Sequence, residues 1–218
     1  MRDLVLELLP LGLAIALSPF PLVPVVLLLL TARPLANGGG FLAGWFGGLV
    51  ALGAVFTVLA GAVELWDEAP AWAAWTRLVL GLALVGLGVR AWLTRDAAPE
   101  TPSWMAALGD STPIRSARLG LLLAVANPKV LLLVLAGGVA IGAAEIGPGA
   151  TTAAVLLFAA GSASMVALPV LLRIALGERV VGPLETARRW LVAHNDAIVA
   201  VVLVVIGTMV ASKGWSAL

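Results

Sequence analysis

Long apolar runs dominate this sequence and limit what the chain can fold into. Each is long enough to cross the hydrocarbon core of a bilayer as a helix. The composition agrees, because 61% of the residues are hydrophobic and 11% are charged, whereas soluble domains carry about a quarter charged residues. We therefore expect an all-α integral membrane protein with six transmembrane helices. The runs occupy residues 3–31, 39–65, 73–93, 117–143, 150–176 and 196–212.

The first run has an alternative interpretation as a cleaved signal peptide. Arg2 precedes it, and the segment Ala14-Ile15-Ala16 resembles a cleavage site. The hydrophobic run nevertheless continues through VPVVLLLL, and its N-terminal region also carries two acidic residues. We expect the run to be retained as the first membrane span.

Basic residues predict the orientation in the membrane. Lys and Arg are enriched in cytoplasmic connections, and here most arginines flank the connections after the first, third and fifth runs. The chain is therefore predicted to be a multi-pass protein of the inner (plasma) membrane, with both termini outside. The arginines are Arg33, Arg90, Arg95, Arg115, Arg118, Arg173, Arg179, Arg188 and Arg189.

Two segments share an order of residues that indicates an internal repeat. In both IALSPFPLVPVVLLLLTA and LLAVANPKVLLLVLAGGV, a short polar residue and a proline precede a Leu/Val run. With three spans in each half, the second half enters the membrane from the opposite side, as in many secondary transporters. We predict two inverted three-helix repeats, 1–95 and 115–218, joined by a cytoplasmic connection, 96–114.

Prolines within these segments predict broken helices. Pro19, Pro21 and Pro128 each lack a backbone donor, and a proline pushes the preceding residue out of the α region. Ser18 and Asn127 are the residues before two of these prolines. The first and fourth helices should therefore break near the bilayer midplane, where such carriers bind their substrates.

Lys129 follows the second break and carries a full positive charge. A cation at the bilayer centre costs about 3 kcal/mol even on a lenient insertion scale, and no carboxylate is predicted at that depth. The start of a half-helix, with a positive dipole end and free N–H groups, favours an anion. The alternatives are a hydrogen bond to carbonyls exposed by the first break, and a snorkelling side chain. The predicted substrate-binding residues are Ser18, Pro19, Pro21, Asn127, Pro128 and Lys129.

Small and amphipathic residues predict two further contact surfaces. Glycines at helical spacing indicate close helix packing, either inside the bundle or in a homodimer. The predicted packing residues are Gly40, Gly44, Gly48, Gly138 and Gly142. In the cytoplasmic connection, an apolar helix face suits the inner leaflet surface. This membrane-surface set is Trp104, Met105 and Leu108.

Several kinds of site have no support in the sequence. There is no cysteine, and the single histidine, His194, lies at the start of the last run, where we interpret it as interfacial. No GxxxxGK[ST] loop occurs. Intramembrane hydrolysis by Ser18 with Lys129 is a weak alternative. We expect no catalytic residues, no metal site, no cofactor and no nucleic-acid partner.

The segments SPFPLVPVVLLLL, GGGFLAGWFGG and PSWMAALGDSTPIRSARLGLLLAVANPK resemble the glycopeptidolipid-addressing and sulfolipid-addressing proteins. This family is placed in the lysine exporter superfamily of six-span carriers. The resemblance implies movement of complex glycolipids to the cell surface. It also matches the two proline motifs to the family's motifs.

Three functional hypotheses follow. The first is a carrier, or transport component, that exports or flips an anionic lipid or glycolipid, with Lys129 as the anion contact. The second is an exporter of a small amino-acid-like solute. The third is a non-transporting scaffold that recruits lipid-synthesis enzymes through the connection containing Trp104 and Met105.

Overall fold

A computed structural model describes residues 2–63, 71–93, 108 and 111–215, with side chains for most of them. These residues form helices joined by short turns and contain no β-strand, so the predicted all-α class is confirmed. A short 3₁₀ helix, Gly177–Val180, precedes the last element. The helices are α1 Arg2–Ala16, α2 Pro19–Leu28, α3 Pro34–Val63, α4 Ala71–Leu93, α5 Pro113–Ala126, α6 Pro128–Gly142, α7 Pro148–Leu176 and α8 Val181–Trp215.

Within these residues, two helical stretches are long and apolar enough to cross a membrane. They are Pro34–Ala60 and Pro148–Pro183. Two helix pairs are bent, α1 with α2 and α5 with α6. If each pair crosses the membrane once, they contribute at most two further spans. The other two predicted spans, 73–93 and 196–212, fall where side chains are described only in part, and they stay predictions.

Both predicted helix breaks are present. Ser18 and Asn127 have extended backbones, with ψ of 122° and 110°, because each precedes a proline that disfavours the α region. The chain bends by 53° between α1 and α2 and by 71° between α5 and α6. Each proline then lies at the first position of the following helix, where its missing N–H removes no helical bond.

Residue contacts divide the chain into two units. The first comprises Met1–Leu65 and Thr101–Arg188, and the second comprises Trp66–Glu100 and Arg189–Leu218. Each unit draws on both halves of the sequence. The predicted boundaries of the two repeats stay a prediction.

Helix α3 is the centre of the first unit. It contacts α5, α6 and α7, and it buries Phe41, Trp45 and Leu49 almost completely. Helix α1 contacts α6 and α7, whereas α2 contacts α3, α5 and α7. The first half of each bent pair therefore packs against the second half of the other pair.

Glycines let α3 and α5 approach backbone to backbone. A Cβ atom built on Gly40 or Gly44 would overlap the carbonyl oxygen of Pro113 or Ala117, respectively, and one built on Gly48 would lie 2.7 Å from the Cβ of Ala124. The predicted stripe thus packs inside the bundle, where it is already occupied by α5.

The shorter stripe in α6 packs inside the bundle at one position. A Cβ atom on Gly138 would lie 2.6 Å from the Cβ of Phe56 in α3. Gly142 is the last residue of α6. The proposed homodimer contact through these glycines stays a prediction.

In the second unit, glycines also allow close contact between helices. A Cβ atom on Gly207 of α8 would lie 2.7 Å from the carbonyl oxygen of Gly81 and 2.7 Å from the backbone nitrogen of Val85, both in α4. One built on Gly88 would lie 2.8 Å from a methyl carbon of Val204. Glycine is therefore required where α4 meets the C-terminal part of α8.

Replacing Gly44 with alanine should destabilise the protein by about 2 kcal/mol, because α3 and α5 must separate to admit the methyl group. Gly47→Ala is the matched control in the same helix, since a Cβ atom there meets nothing within 4 Å. Thermal unfolding of both variants in detergent measures the difference. Equal melting temperatures would show that the close approach is not needed.

Candidate functional site

The N-terminus of α2 forms the first part of the predicted site. Ser18 is buried, and its side chain makes no capping hydrogen bond to the helix. Prolines at positions 19 and 21 have no N–H, so few donors remain in this first turn. Pro21 is buried as well. This terminus consists of a buried hydroxyl and a rigid backbone, with little capacity to bind an anion by itself.

The N-terminus of α6 forms the second part, and here the cap is complete. The Asn127 side-chain oxygen accepts from the N–H of Lys129 at 3.0 Å and from the N–H of Val130 at 3.4 Å. Its backbone oxygen accepts from the N–H of Leu131 at 2.9 Å. The expectation of free N–H groups at this terminus is therefore wrong. The Asn127 side-chain oxygen accepts the two N–H hydrogen bonds that a ligand at this terminus would otherwise accept.

Lys129 keeps an uncompensated donor. Its Nζ atom is buried and has no hydrogen-bond partner among the described residues. The nitrogen thus neither snorkels out of the protein nor binds carbonyls exposed at the first break. With the cap closed by Asn127, the Lys129 Nζ is the donor that stays without an acceptor at this terminus.

Contacts with α3 give the depth of Lys129. Ala124, which precedes Lys129 by five positions, packs against Gly48 of α3. Val134, which follows Lys129 by five positions, lies 4.0 Å from a Cβ atom built on Gly53 of α3. Lys129 is therefore level with the middle of that five-residue interval of α3. Since the candidate span runs from Pro34 to Ala60, this is within about 5 Å of its centre at 1.5 Å per residue.

Two more polar atoms are buried without partners among the described residues, at a level about 7 Å from that of Lys129 along the bundle. They are Oγ of Ser162 in α7 and Nε1 of Trp45 in α3, and both residues are 0% exposed. A Cβ atom on Gly38 would lie 3.5 Å from Val170, and one on Gly53 would lie 3.3 Å from Val155, so α3 and α7 run antiparallel. Counting along both helices places Ser162 and Trp45 within about one residue of the same level.

The same level also lies close to the first broken pair. A Cβ atom on Gly12 of α1 would lie 3.5 Å from Oγ of Ser162. Sequence reasoning missed Trp45, because its glycine-rich surroundings indicate packing only. Whether the Trp45 indole N–H has an acceptor depends on residues that are distant in the sequence, so no local pattern shows it.

Other predicted site residues are placed as follows. Pro128 is exposed, and Leu108 is 7% exposed and packed within the protein. Trp104 and Met105 lie outside the described residues, as does the side chain of His194. No cluster of three metal-binding side chains occurs among the residues that the structure describes.

Comparison with known proteins places this chain in a family. The sequence profile of the family described as "Sap, sulfolipid-1-addressing protein" matches residues 8–216. The chain belongs to this family. The match covers both helix breaks and Lys129. No curated protein and no solved structure matches the chain. Membership in the sulfolipid-1-addressing family confirms the resemblance seen in the sequence at the level of the family, whereas the lysine exporter superfamily stays a prediction.

Replacing Asn127 with alanine should destabilise the protein by about 1 kcal/mol, because two N–H groups of α6 lose their acceptor. Ser18→Ala is the matched comparison at the other break, where no cap bond is lost. Thermal unfolding of both variants in the same detergent measures this difference. A larger loss for Ser18→Ala would contradict the unequal capping of the two breaks.

Replacing Lys129 with methionine should stabilise the protein by about 2 kcal/mol, since an unpaired cation leaves the apolar interior. Arg118→Met makes the same charge change at an exposed position of α5 and should have little effect. Chemical unfolding in detergent compares the two variants. A loss of stability in Lys129→Met would mean that the ammonium group has a structural partner.

Proposed function

We propose that the chain is a membrane carrier, or a component of one, that exports or flips an anionic lipid or glycolipid across the plasma membrane. The family description names the addressing of a sulfolipid, and sulfolipids are anionic lipids. The chain has the long apolar helices that a membrane location requires. We propose transport without covalent chemistry, and therefore not an enzyme.

The buried, unpartnered Nζ of Lys129 is the observation that carries this proposal. An isolated cation at mid-depth destabilises the protein, so its presence needs a functional reason. A sulfate, phosphate or carboxylate group on the cargo would neutralise the charge and accept its hydrogen bonds. The binding energy released there would offset the removal of the anionic headgroup from water.

Neighbouring polar groups would complete the cradle. Ser162 and Trp45 each hold a buried donor without a partner among the described residues, at a level about 7 Å from that of Lys129 along the bundle. An anion or a sugar hydroxyl accepts from such donors, whereas an alkyl chain does not. These two residues therefore join Lys129 in the proposed headgroup site. Asn127 shapes the site by holding the first turn of α6.

Helix contacts support the inverted repeat that a carrier would use. If α5, α6 and α7 repeat α1, α2 and α3, every contact between the halves needs a counterpart with the roles exchanged. The contact of α3 with α5 then corresponds to that of α7 with α1, and α3 with α6 corresponds to α7 with α2. The contact of α1 with α6 corresponds to α5 with α2. All of these contacts are present.

The crossed arrangement suggests how cargo would be held. Helix α1 packs on α6 and α2 packs on α5, and this crossing is what an antiparallel arrangement of the two broken pairs, with breaks at similar depth, would produce. Carriers with inverted repeats bind their substrates at such a meeting point and alternate access by rocking one repeat against the other. In this proposal the headgroup occupies the breaks, and the acyl chains stay in the surrounding lipid.

Native mass spectrometry of the gently extracted protein tests the proposal. The wild type should carry an anionic lipid that Lys129→Met loses, because the lipid's charge no longer has its partner. Arg118→Met is the control, since it removes one positive charge from an exposed position, and it should keep the lipid.

Three outcomes would contradict this role. Equal retention of the lipid by wild type and Lys129→Met would remove the anion role of Lys129. A protein free of lipid in every form, with a small amino-acid-like solute bound instead, would favour the small-solute exporter. Loss of function in Trp104 and Met105 variants, with Lys129→Met silent in cells, would favour the scaffold.

A further inference from the structure

A second polar feature lies at one end of the first unit, far from Lys129. A cavity of about 270 Å³ lies between the turn joining α2 to α3 and the end of α7. Its volume is slightly below the usual range of small-molecule pockets, which suits a headgroup better than a whole lipid. The lining residues are Leu29, Leu30, Thr31, Ala32, Pro34, Arg173, Glu178 and Val181.

Arg173 provides the positive charge of this cavity. It is 9% exposed although it carries a guanidinium group. Its Nη1 atom donates to the carbonyl oxygen of Gly177 at 2.9 Å, which caps the end of α7 and holds the side chain in place. Its Nη2 atom donates to the Glu178 carboxylate. One nitrogen of the guanidinium group therefore binds the end of α7, and the other pairs with the Glu178 carboxylate.

Glu178 is a displaceable partner. Its side chain is 87% exposed, so water solvates the carboxylate whether or not it pairs with Arg173. Because the exposed carboxylate keeps its hydration when it separates from Arg173, breaking this pair costs less than breaking a fully buried one. Glu178 is the second residue of the short 3₁₀ helix, which begins at Gly177. Gly177 has a φ of +60°, and this conformation ends α7. The carboxylate can leave Arg173 at small cost, whereas the guanidinium cannot leave the cavity.

The Thr31 hydroxyl in the remaining wall is already engaged in hydrogen bonds. The Thr31 hydroxyl donates to the carbonyl oxygen of Leu28 at 2.6 Å and accepts from Asn37 at 2.9 Å. Leu29, Leu30 and Val181 add apolar surface. A ligand of this cavity would thus be recognised mainly by one guanidinium group in a largely polar lining, which suits an anionic headgroup.

We propose that this cavity binds a tetrahedral oxyanion, a sulfate or phosphate ester, with Arg173 as its anchor and Glu178 as the internal carboxylate that it displaces. Arginine's planar donors match such oxyanions in bidentate geometry. The distribution of arginines predicts that this end of the molecule is cytoplasmic. The site goes beyond the proposed function, because it would hold the anion at the membrane boundary and requires no transport.

Binding of short-chain phosphatidic acid to the purified full-length chain in detergent tests the proposal. Inorganic phosphate is the probe for a free anion, and a diacylglycerol with the same acyl chains is the probe without an anion. Glu178→Gln should bind phosphatidic acid about fivefold more tightly, because the competing carboxylate is gone. Arg173→Gln should bind it at least about tenfold more weakly.

Arg179→Gln is the matched control. Arg179 is exposed and follows Glu178, but it does not line the cavity. It should leave the affinity unchanged within about twofold. Tighter binding by Glu178→Gln is the decisive result, because a purely structural ion pair predicts no gain. Glu178 is exposed, so this variant should fold even if Arg173→Gln does not.

The other probes identify the source of the anion. Inorganic phosphate that binds as tightly as phosphatidic acid, and shows the same response to Glu178→Gln, supports the site with a free anion as its ligand. Phosphatidic acid that binds much more tightly than phosphate supports a lipid headgroup. Unchanged or weaker binding by Glu178→Gln, or equal binding of diacylglycerol, would overturn the proposal.

Repeating the titrations in the Lys129→Met background separates this site from the central one. A fivefold effect of Glu178→Gln that persists there supports the cavity even if Lys129 has no role in transport. If Lys129→Met removes all lipid binding and Glu178→Gln has no effect in the wild type, the cavity proposal fails while the proposed function stands.

Discussion

Backbone hydrogen bonding in lipid is the constraint on which this structure depends. An unsatisfied N–H or C=O in the hydrocarbon core costs several kcal/mol, so a membrane helix breaks only where the freed groups find partners. Proline at the first position of α2 and of α6 removes one such donor outright. At the second break the Asn127 amide accepts the next two N–H groups. The second break is therefore a stable feature that positions Lys129 near the middle of the bundle.

Close packing of α3 then sets the depth of everything else. Glycines at positions 40, 44 and 48 bring the α5 backbone against α3, and this contact fixes the level of the second break relative to the first long helix. A larger residue at any of these positions would move α5 outward and carry Lys129 with α6. Local sequence chemistry at the break and small residues in a distant helix thus act on the same site.

Much of this arrangement could be predicted from the sequence. The helical class, the two breaks and the glycine contact follow from apolar length, from proline and from spacing, which are all local properties. The closed cap at α6 could not be predicted, because it depends on the rotamer of Asn127 and on the bend of the chain. The buried donors of Trp45 and Ser162 depend on the neighbours that α5 and α1 bring to them. The cavity at Arg173 requires the α2–α3 turn and the end of α7 to meet, which no local pattern encodes.

Arg173 and Lys129 differ in how their charges are compensated, and in the proposed carrier this difference would order them along a path. Arg173 follows Val170, which packs near Gly38, so it lies beside the start of α3, roughly 20 Å from the level of Lys129 at 1.5 Å per residue. Arg173 has an exposed carboxylate beside it, whereas Lys129 has no partner among the described residues. A headgroup entering at the boundary would displace a solvated carboxylate at small cost. At mid-depth it would meet a cation whose only compensation is the ligand. In the proposed carrier, affinity therefore rises inward, which favours transfer of an anion from the membrane boundary to the breaks.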